Sequence, residues 1–447
     1  MNNYILKDTI YAPASAPQKS GIIVVRLSGK KVLEAIAKLR VPKLKPRYAT
    51  VTNIYHPKTY ELIDNCVAVY YKAPHSFTGE DVLELSIHGG KVVLRILLDA
   101  LASISGLRFA EPGEFSMRAL FYNKLDLTQV EGVADLINAE TAEQHKLALK
   151  QLSGDLSKIY DGWRKRLLKI MGLIEANIDF PEEDIPGDVV KQAEIAVHEL
   201  NRDINIYIQD NNAGEKLRDG LYVTILGATN VGKSSLINRL SKRDVAIVSH
   251  IEGTTRDVIE VGLEIKGYPV TVADTAGIRD SEEALENEGI RRSLERAKHA
   301  DCKLIVLDAT SQTQPESILS LIDSNSIVLV NKIDIAEPNL TDAILAQAAI
   351  HISTKTGEGL DKLFGRLSEF AENFFYSACS TPLITRQRHR EHLMKCGECL
   401  ARFEIDQGIE LAAEDLRLAA SHLARITERI DADSILGEIF SNFCVGK

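Results

Sequence analysis

One glycine-rich run holds the residue types that bind a chain of phosphates. Backbone amides in such a run surround phosphate oxygens, a lysine reaches the outer phosphates, and the hydroxyl after it ligates Mg²⁺. Lys233 is therefore expected to act catalytically on the β- and γ-phosphates, with Ser234 on the metal. The predicted phosphate-binding set is Gly227-Ala228-Thr229-Asn230-Val231-Gly232-Lys233-Ser234-Ser235.

Two later segments supply the remaining ligands of a metal–triphosphate site. Asp274 ends an apolar strand pattern, and its carboxylate is expected to hold Mg²⁺ through a water molecule. Thr275, Ala276 and Gly277 follow, and the Gly277 amide can approach the γ-phosphate. Thr255 is the predicted switch threonine, a catalytic residue that ligates the same ion. Together these residues predict a nucleoside triphosphate as substrate.

The choice of base follows from Asn331-Lys332-Ile333-Asp334. The Asp334 carboxylate can accept hydrogen bonds from both N1 and the exocyclic amine of guanine, whereas adenine offers an acceptor at N1. Asn331 and Lys332 frame the base. Ser353-Thr354-Lys355 follows a further apolar strand, and its backbone can reach the guanine carbonyl oxygen. These segments predict GTP.

Catalysis cannot use the water-orienting glutamine of signalling GTPases, because Ile278 occupies that position. An apolar side chain cannot orient water, so another polar group and another positive charge are needed near the leaving oxygen. Glu286 is the candidate for positioning water, although its local sequence fits a solvated helix position equally well. The charge can come from Arg256, Arg279 or a bound monovalent cation.

These segments need a sheet whose strands end at the nucleotide. Residues 221–226 are predicted to form a strand that leads into the glycine-rich run, and residues 233–240 a helix. Residues 10–107 mix strand and helix patterns, which predicts an α+β domain. Helical periodicity covers 127–212 and resumes after residue 382, where residues 411–426 are spaced to bury one face. The nucleotide segment therefore interrupts a helical region.

The predicted fold class is multidomain α/β and α+β, with a P-loop (Ras-like) GTPase domain inserted into a helical domain and preceded by an α+β domain. The first helical segment and the second are expected to pack together. The predicted segments are 1–120 (α+β), 121–215 (helical), 216–376 (inserted G domain) and 377–447 (helical).

Composition excludes several classes of protein. The 447 residues are 45% hydrophobic and 26% charged, which is ordinary for folded multidomain chains. A net charge of −10 argues against an indiscriminate nucleic-acid binder. Six dispersed cysteines fit a reducing compartment, and neither an export signal nor a membrane span is legible. A cytoplasmic location is predicted.

Three clusters are better explained by structure than by function. His389, His392, Cys396 and Cys399 span about 15 Å along one predicted helix, so that one tetrahedral ion cannot collect all four. Arg386, Arg388 and Arg390 and the basic stretch at 163–166 could touch a nucleic acid, but a solvated helix face is the simpler interpretation of each.

Motifs outside the nucleotide segments are specific to one family. The chain resembles, over its whole length, the MnmE (TrmE) family of tRNA modification GTPases. The marks are Phe77-Thr78-Gly79-Glu80-Asp81-Val82-Leu83-Glu84-Leu85, Pro112-Gly113-Glu114-Phe115-Ser116, Asn123-Lys124-Leu125-Asp126-Leu127, Ile178-Asp179-Phe180-Pro181 and Phe443-Cys444-Val445-Gly446-Lys447.

The resemblance implies an N-terminal folate-binding and dimerising domain, a helical domain made of two segments, and an inserted G domain. It also implies GTP hydrolysis stimulated by K⁺, in which the G domains of a homodimer meet and K⁺ takes the role of an arginine finger. By position, Asn230 would give K⁺ a side-chain oxygen, and Ser249, Ile251 and Thr254 would give backbone carbonyls. Glu286 falls on the family's catalytic glutamate.

The same resemblance implies one-carbon chemistry on tRNA. Residues for 5-formyltetrahydrofolate or a related folate map onto Arg26, Glu84 and Lys124, with Lys447 nearby, and Cys444 is a candidate catalytic thiol. The implied reaction adds an aminomethyl-type group at C5 of the wobble uridine. An FAD-dependent, NADH-using partner protein would complete a heterotetramer or larger complex.

Two other functions remain compatible with the residues. One is a GTP-driven assembly factor for ribosomes or metal centres, without one-carbon chemistry. The other is a folate-dependent aminomethyltransferase that works without a flavin partner and carries a regulatory GTPase.

Overall fold

The computed structural model describes residues 7–16, 18–179, 188–209, 212–242, 246–247, 260–274, 298–311, 316–337, 349–376, 383–427, 443 and 446. Contacts divide the chain into two compact units. The first unit comprises Met1–Ala134, Gln151–Ala196 and Arg402–Lys447. The second comprises Asp135–Lys150 and Val197–Ala401.

The strands and helices follow in chain order. The strands are β1 (Thr9–Pro13), β2 (Ile22–Ser28), β3 (Thr50–Tyr55), β4 (Leu62–Tyr71), β5 (Val82–His88), β6 (Leu107–Phe109), β7 (Leu221–Leu226), β8 (Ala246–Ile247), β9 (Glu260–Ile265), β10 (Tyr268–Asp274), β11 (Cys302–Asp308), β12 (Ser326–Asn331) and β13 (Ile350–His351). The α-helices are α1 (Val32–Lys38), α2 (Lys91–Ala102), α3 (Glu114–Phe121), α4 (Leu127–Asn138), α5 (Ala142–Leu152), α6 (Asp155–Asp179), α7 (Asp188–Ile208), α8 (Ala213–Asp219), α9 (Lys233–Leu240), α10 (Glu316–Leu319), α11 (Leu360–Tyr376), α12 (Gln387–Arg402) and α13 (Ile409–Thr427), with a 3₁₀ turn at Ile405–Gln407.

The N-terminal sheet of the first unit has the strand order β3-β4-β5-β2-β1-β6. Alternation along β2 buries Val25 and Leu27 in the core that α1 and α2 cover, and leaves Arg26 on the other face. In β5, Leu85 faces the same core and Glu84 points away. Because the strands pair antiparallel with Arg26 opposite Glu84, these two side chains meet on the outer face.

Helices α6 and α13 of the first unit pack against each other. The buried residues of α6 recur at spacings of four and three, at Leu156, Tyr160, Trp163, Leu167, Ile170 and Ile174. Those of α13 do the same at Ala412, Leu416, Ala419, Leu423 and Ile426. This spacing produces a narrow apolar seam like that of a coiled coil. The predicted amphipathic helix is confirmed, but Leu411 lies on its exposed face.

The second unit contains a sheet with the strand order β13-β12-β11-β7-β10-β9-β8. The strands from β13 to β10 run parallel, and β9 and β8 pair antiparallel. The predicted strand at 221–226 and helix at 233–240 are confirmed as β7 and α9. Carboxyl ends of parallel strands meet at one edge, which brings the segments after β7, β10 and β12 together.

Candidate functional site

The phosphate-binding run connects β7 to α9 in the conformation that its glycines require. Gly232 adopts φ +103° at the N-terminal end of α9. A Cβ at this position would collide with Nδ2 of Asn331, so the backbone approach depends on glycine. Asn230 also lies in the left-handed region, at φ +60°, and is exposed. The run therefore leads into α9 with the Asn230 side chain exposed.

Lys233 lies folded back over the run. Its Nζ donates to the carbonyl oxygens of Gly227, at 2.8 Å, and Ala228, at 2.7 Å. Burial lowers the pKa of Lys233 below its usual 10.5, while the charge of Asp274 opposes this effect. A triphosphate would offer the ammonium group stronger acceptors than two carbonyl oxygens.

Ser234 and Asp274 meet as the predicted Mg²⁺ site requires. The Ser234 hydroxyl donates to Oδ2 of Asp274 at 2.9 Å. Asp274 is buried at the carboxyl end of β10, and Ser234 is exposed in the first turn of α9. A hydroxyl and a carboxylate are oxygen ligands of the kind that Mg²⁺ prefers. The pair fits an ion held directly by the hydroxyl and through water by the carboxylate.

Asn331 ties the phosphate-binding run to the base-binding segments. Its Nδ2 donates to the carbonyl oxygen of Val231 at 2.7 Å and to the Thr354 hydroxyl at 3.2 Å. Its Oδ1 accepts from the Thr354 backbone N–H at 3.0 Å. The side chain is 1% exposed. The asparagine therefore positions the loops on both sides of the nucleotide.

The residues predicted to bind guanine are also prearranged. The Ser353 hydroxyl donates to Oδ1 of Asp334 at 2.7 Å, which orients the carboxylate. Lys332, at φ +69°, pairs through Nζ with Oδ2 of Asp308 at 2.6 Å. Burial alone would raise the pKa of Asp308, but hydrogen bonds from Lys332 and Thr310 hold it below its usual value. Lys355 is exposed beside them.

Parts of the predicted nucleotide site and of the predicted folate site lie outside the described residues. This holds for the switch threonine, the catalytic glutamate, three of the K⁺ ligands, the residues after Asp274 and the C-terminal pair. They are Ser249, Ile251, Thr254, Thr255, Thr275, Ala276, Gly277, Glu286, Cys444 and Lys447. Their roles stay predictions, as do those of Arg256 and Arg279.

A second group of predicted residues assembles on the outer face of the N-terminal sheet. Nε of Arg26 donates to Oε1 of Glu84 at 2.8 Å, and the Tyr71 hydroxyl donates to the other carboxylate oxygen at 3.4 Å. The guanidinium carbon of Arg26 lies 5.3 Å from the ring centre of Phe77 and 5.7 Å from that of Phe115. Arg26 and Glu84 are both about one-fifth exposed. A flat polar ligand could therefore reach them.

Lys124 stands at the edge of the same group. Its Nζ donates to the carbonyl oxygen of Pro74 at 2.9 Å. A Cβ on Gly79, at φ +84°, would press on Tyr122 and on the stem of Lys124. The loop between β4 and β5 is thus fitted against the segment after α3. The structure brings Arg26, Glu84 and Lys124 into one region of the first unit.

Two family models match the chain. The model of the MnmE helical domain matches residues 127–444, and that of the GTP-binding protein TrmE N-terminus matches residues 9–124. The tRNA modification GTPase MnmE of Rickettsia akari (strain Hartford) is 46% identical over 445 residues, which cover 98% of this chain and 100% of the relative. The chain belongs to the MnmE family. This membership confirms the predicted fold class and the predicted enzyme class, a GTP hydrolase acting in tRNA modification.

Two further relatives carry the same name. The tRNA modification GTPase MnmE of Rickettsia rickettsii (strain Sheila Smith) is 47% identical over 98% of this chain and 100% of its own. The tRNA modification GTPase MnmE of Paramagnetospirillum magneticum (strain ATCC 700264 / AMB-1) is 46% identical over 99% of this chain and 100% of its own.

A solved structure of the G domain of the T. maritima FeoB iron transporter aligns with 34% of this chain and 98% of its own, at 27% identity and a TM-score of 0.26. The domain boundaries at 120, 215 and 376 stay predictions.

Sequence reasoning missed a buried charge network behind the Arg26 group. Arg118 is fully buried and pairs with Glu80 at 2.9 Å and Glu114 at 2.9 Å. Arg108 reaches Glu114 at 2.6 Å, and the Ser28 hydroxyl donates to Glu80 at 2.8 Å. The network fastens α3 to the loop before β5. The i, i+4 spacing of Glu114 and Arg118 within a mostly apolar helix was the available signal.

The histidine–cysteine cluster and the arginines near residue 388 have structural roles, and the solvated face expected for Arg386 and Arg390 is wrong, because both are largely buried in ion pairs. Arg386 pairs with Asp135 at 2.6 Å and Arg390 with Glu215 at 2.8 Å, so both fasten α12 within the second unit. Cys396 is buried, and this burial, with the nearby Cys399, raises its thiol pKa to about 12. Within the part of the chain that the structure describes, no three His, Cys, Asp or Glu side chains come together as a metal-binding group. None of the helices described is long and apolar enough to cross a membrane.

Proposed function

We propose that this protein is a K⁺-dependent GTPase that, with an FAD-dependent partner protein, modifies C5 of the wobble uridine of certain tRNAs using a folate one-carbon donor. The product would be of the 5-carboxymethylaminomethyl or aminomethyl type. One observation carries the proposal. Arg26, Glu84 and Lys124 lie in one region of the N-terminal domain of an MnmE-family GTPase.

The chemistry of this region suits a reduced folate. A pterin ring is flat and carries amine and ring N–H donors, for which the Glu84 carboxylate is a ready acceptor. Phe77, 37% exposed, offers an aromatic surface for stacking. The carboxylates of the folate tail need cations, which Lys124 and Lys447 would supply. Bound 5-formyltetrahydrofolate would contribute the one-carbon unit, and the protein residues would bind and orient it.

The proposed roles in GTP hydrolysis start from the residues of the nucleotide site that the structure describes. Lys233 would hold the outer phosphates, and Ser234 and Thr255 would ligate Mg²⁺. Asn230, exposed on the phosphate-binding run, would offer its side-chain oxygen to K⁺ with backbone oxygens of Ser249, Ile251 and Thr254. That ion would place positive charge near the leaving oxygen, while Glu286 positions water.

The proposed assembly is a homodimer that joins the FAD-dependent partner in a heterotetramer or larger complex and acts on tRNA in the cytoplasm. A polyanion such as tRNA must find local basic surface, because the chain carries a net charge of −10. Cys444 would lie near the folate as a catalytic or positioning thiol.

The first experiment compares the wobble uridine of tRNA from cells with and without the gene, by mass spectrometry of nucleosides. Loss of the modified uridine is expected in the deletion strain. A strain that keeps its normal modified uridine would refute the proposal.

The second experiment measures binding of 5-formyltetrahydrofolate to Arg26→Met by calorimetry. Affinity should fall tenfold or more, because a charge-assisted contact is lost. Arg40→Met is the matched control, since Arg40 stacks on Tyr60 at 4.4 Å in the same domain. A wild-type protein that binds ribosomal particles and has no affinity for this folate would favour the assembly-factor alternative.

A further inference from the structure

A cavity of about 600 Å³ lies in the first unit beside Lys124. It lies among the segment after α3, the start of α4, one face of α6 and the last residue of α13. Its polar lining includes Asn123, Lys124, Asp161 and Arg164, and Leu120 and Leu125 add apolar surface. The volume falls within the range of about 300–1,000 Å³ that is typical of small-molecule sites.

Two residues of the polar lining, Asp126 and Gln129, form a structural wall. Asp126 accepts hydrogen bonds from Thr128, Ser157 and the backbone N–H of Gln129, so its carboxylate caps α4. The Gln129 amide accepts from the Asp126 backbone and donates to the Leu152 carbonyl oxygen. Both residues are therefore engaged internally.

Asp161 differs from these wall residues. It is an exposed carboxylate in the second turn of α6, and among the described residues it makes no hydrogen bond or ion pair. Two cationic side chains, Lys124 and Arg164, line the same cavity. A ligand that matches this set has an N–H or O–H donor for the carboxylate and an anionic group for the cations. A pyrimidine nucleotide has both, since uracil carries a donor at N3.

Lys124 connects this cavity to the proposed folate site. Its ammonium group donates to the Pro74 carbonyl oxygen in the loop next to Phe77, while its side chain also lines the cavity. Transfer of a one-carbon unit requires donor and acceptor to be held side by side. Arg26 and Glu84 do not line the cavity, so the two ligands would have separate compartments that meet at Lys124.

We infer that this cavity binds the acceptor nucleotide, the wobble uridine of tRNA turned out of its loop. Asp161 accepts a hydrogen bond from N3–H of the base, and Lys124 and Arg164 meet its phosphate. Anticodon-loop bases are single-stranded, which makes turning one outward inexpensive. The inference rests on the proposed function and names the place of its RNA substrate.

The test uses two anticodon stem-loop RNAs, one with uridine at the wobble position and one with an abasic nucleotide there. The full-length protein should bind the uridine RNA about tenfold more tightly, as measured by fluorescence anisotropy. Asp161→Ala should lose this discrimination, because the base no longer has its acceptor. Arg164→Met should weaken both RNAs, whereas Lys165→Met, on the exposed neighbour, should change neither.

Three results separate the possibilities. Equal discrimination by the wild type and Asp161→Ala, with unchanged thermal unfolding, would overturn the inference. Loss of 5-formyltetrahydrofolate binding in Asp161→Ala would overturn it too, by assigning the cavity to the folate. Discrimination that depends on Asp161 in a protein without folate affinity would support the nucleotide cavity and refute the folate chemistry instead.

Discussion

At the residue scale, both sites are organised by polar side chains that are already paired. Asn331 spans the phosphate and base loops, and Ser353 orients Asp334. In the first unit, Arg118 joins Glu80 and Glu114 behind the outer face of the sheet. Such pairs hold their geometry without a ligand, so binding need not order them. The residues that surround a site therefore fix the geometry of the side chains that would contact the ligand.

The acid sensitivity of the N-terminal domain should depend on Glu114. Burial by itself would raise its pKa, but hydrogen bonds from Arg108, the Glu111 backbone and Arg118 outweigh that effect and hold the pKa below 4.5. The ionised carboxylate therefore stabilises the fold fully above about pH 5, and this contribution is lost as the pH falls through the lowered pKa.

Glu114→Gln tests this assignment. At pH 7 the variant should lose about 3 kcal/mol or more in free energy of unfolding by urea denaturation, because Arg118 keeps a buried charge with fewer partners. The difference from wild type should shrink as the pH falls from 5 towards 2. Glu111→Gln, at an exposed neighbour, should behave as wild type. A constant difference across this pH range would contradict the ionised role.

At the element scale, α8 is the junction of the second unit. Lys216 pairs with Asp301, which also accepts from the backbone N–H of Tyr222 at the start of β7. Glu215 pairs with Arg390 of α12. Gly214 lies against the backbone of Ile384. One short helix thus fixes the first strand of the nucleotide sheet to the segment that leads into α12.

Gly214→Ala should loosen this junction. Its Cβ would overlap the Ile384 carbonyl oxygen, and a backbone atom cannot move aside as a flexible side chain can. We expect a loss of about 1–3 kcal/mol in the free energy of unfolding by chemical denaturation. Gly162→Ala in α6 is the matched control, because its Cβ would meet no atom within 4 Å. The control should gain about 0.5–1 kcal/mol from helix propensity. Equal effects at both positions would exclude close packing as the cause.

The sequence predicted those elements whose pattern is local. β7, the phosphate-binding run and α9 follow from a strand, glycines at fixed spacing and a helix, and the structure contains all three. The pairing of Arg26 with Glu84 depends on strand register across 58 residues, which spacing in the sequence does not encode. The family resemblance alone selected those residues.

The missed features share a long-range origin. The Arg118 network closes only when α3 packs on the loop before β5, and the cavity beside Lys124 needs α6 and α13 in place. Periodicity found α13 but did not fix which leucines it buries. Leu411 and Leu418 are exposed, whereas Leu416 and Leu423 form the seam with α6. Burial is decided by the partner helix, which a single amphipathic pattern does not identify.

At the scale of the whole molecule, the predicted nucleotide residues and the proposed one-carbon residues belong to different compact units. Under the proposed function, hydrolysis of GTP does not itself form the bond at C5 of uridine, so its contribution would be conformational. If the G domains of two chains associate in the presence of K⁺, the nucleotide bound to one chain would affect the other chain. A homodimer would favour this association, because two chains joined through their N-terminal domains hold their G domains at a high effective concentration.

The K⁺ role predicts a specific defect in Asn230 variants. Asn230→Ala should lose K⁺ stimulation of GTP hydrolysis while its GTP affinity, measured in Na⁺, stays within about threefold of wild type, since its backbone amide remains. Because residue 230 lies at φ +60°, Asn230→Gly is the control that removes the side-chain oxygen without backbone strain. Both variants should also lose K⁺-dependent self-association of the GTP-bound protein in sedimentation velocity. If Asn230→Gly kept the full K⁺ response, the side chain would not be a ligand, and a positive charge from the protein, such as Arg256 or Arg279, would have to stabilise the leaving oxygen.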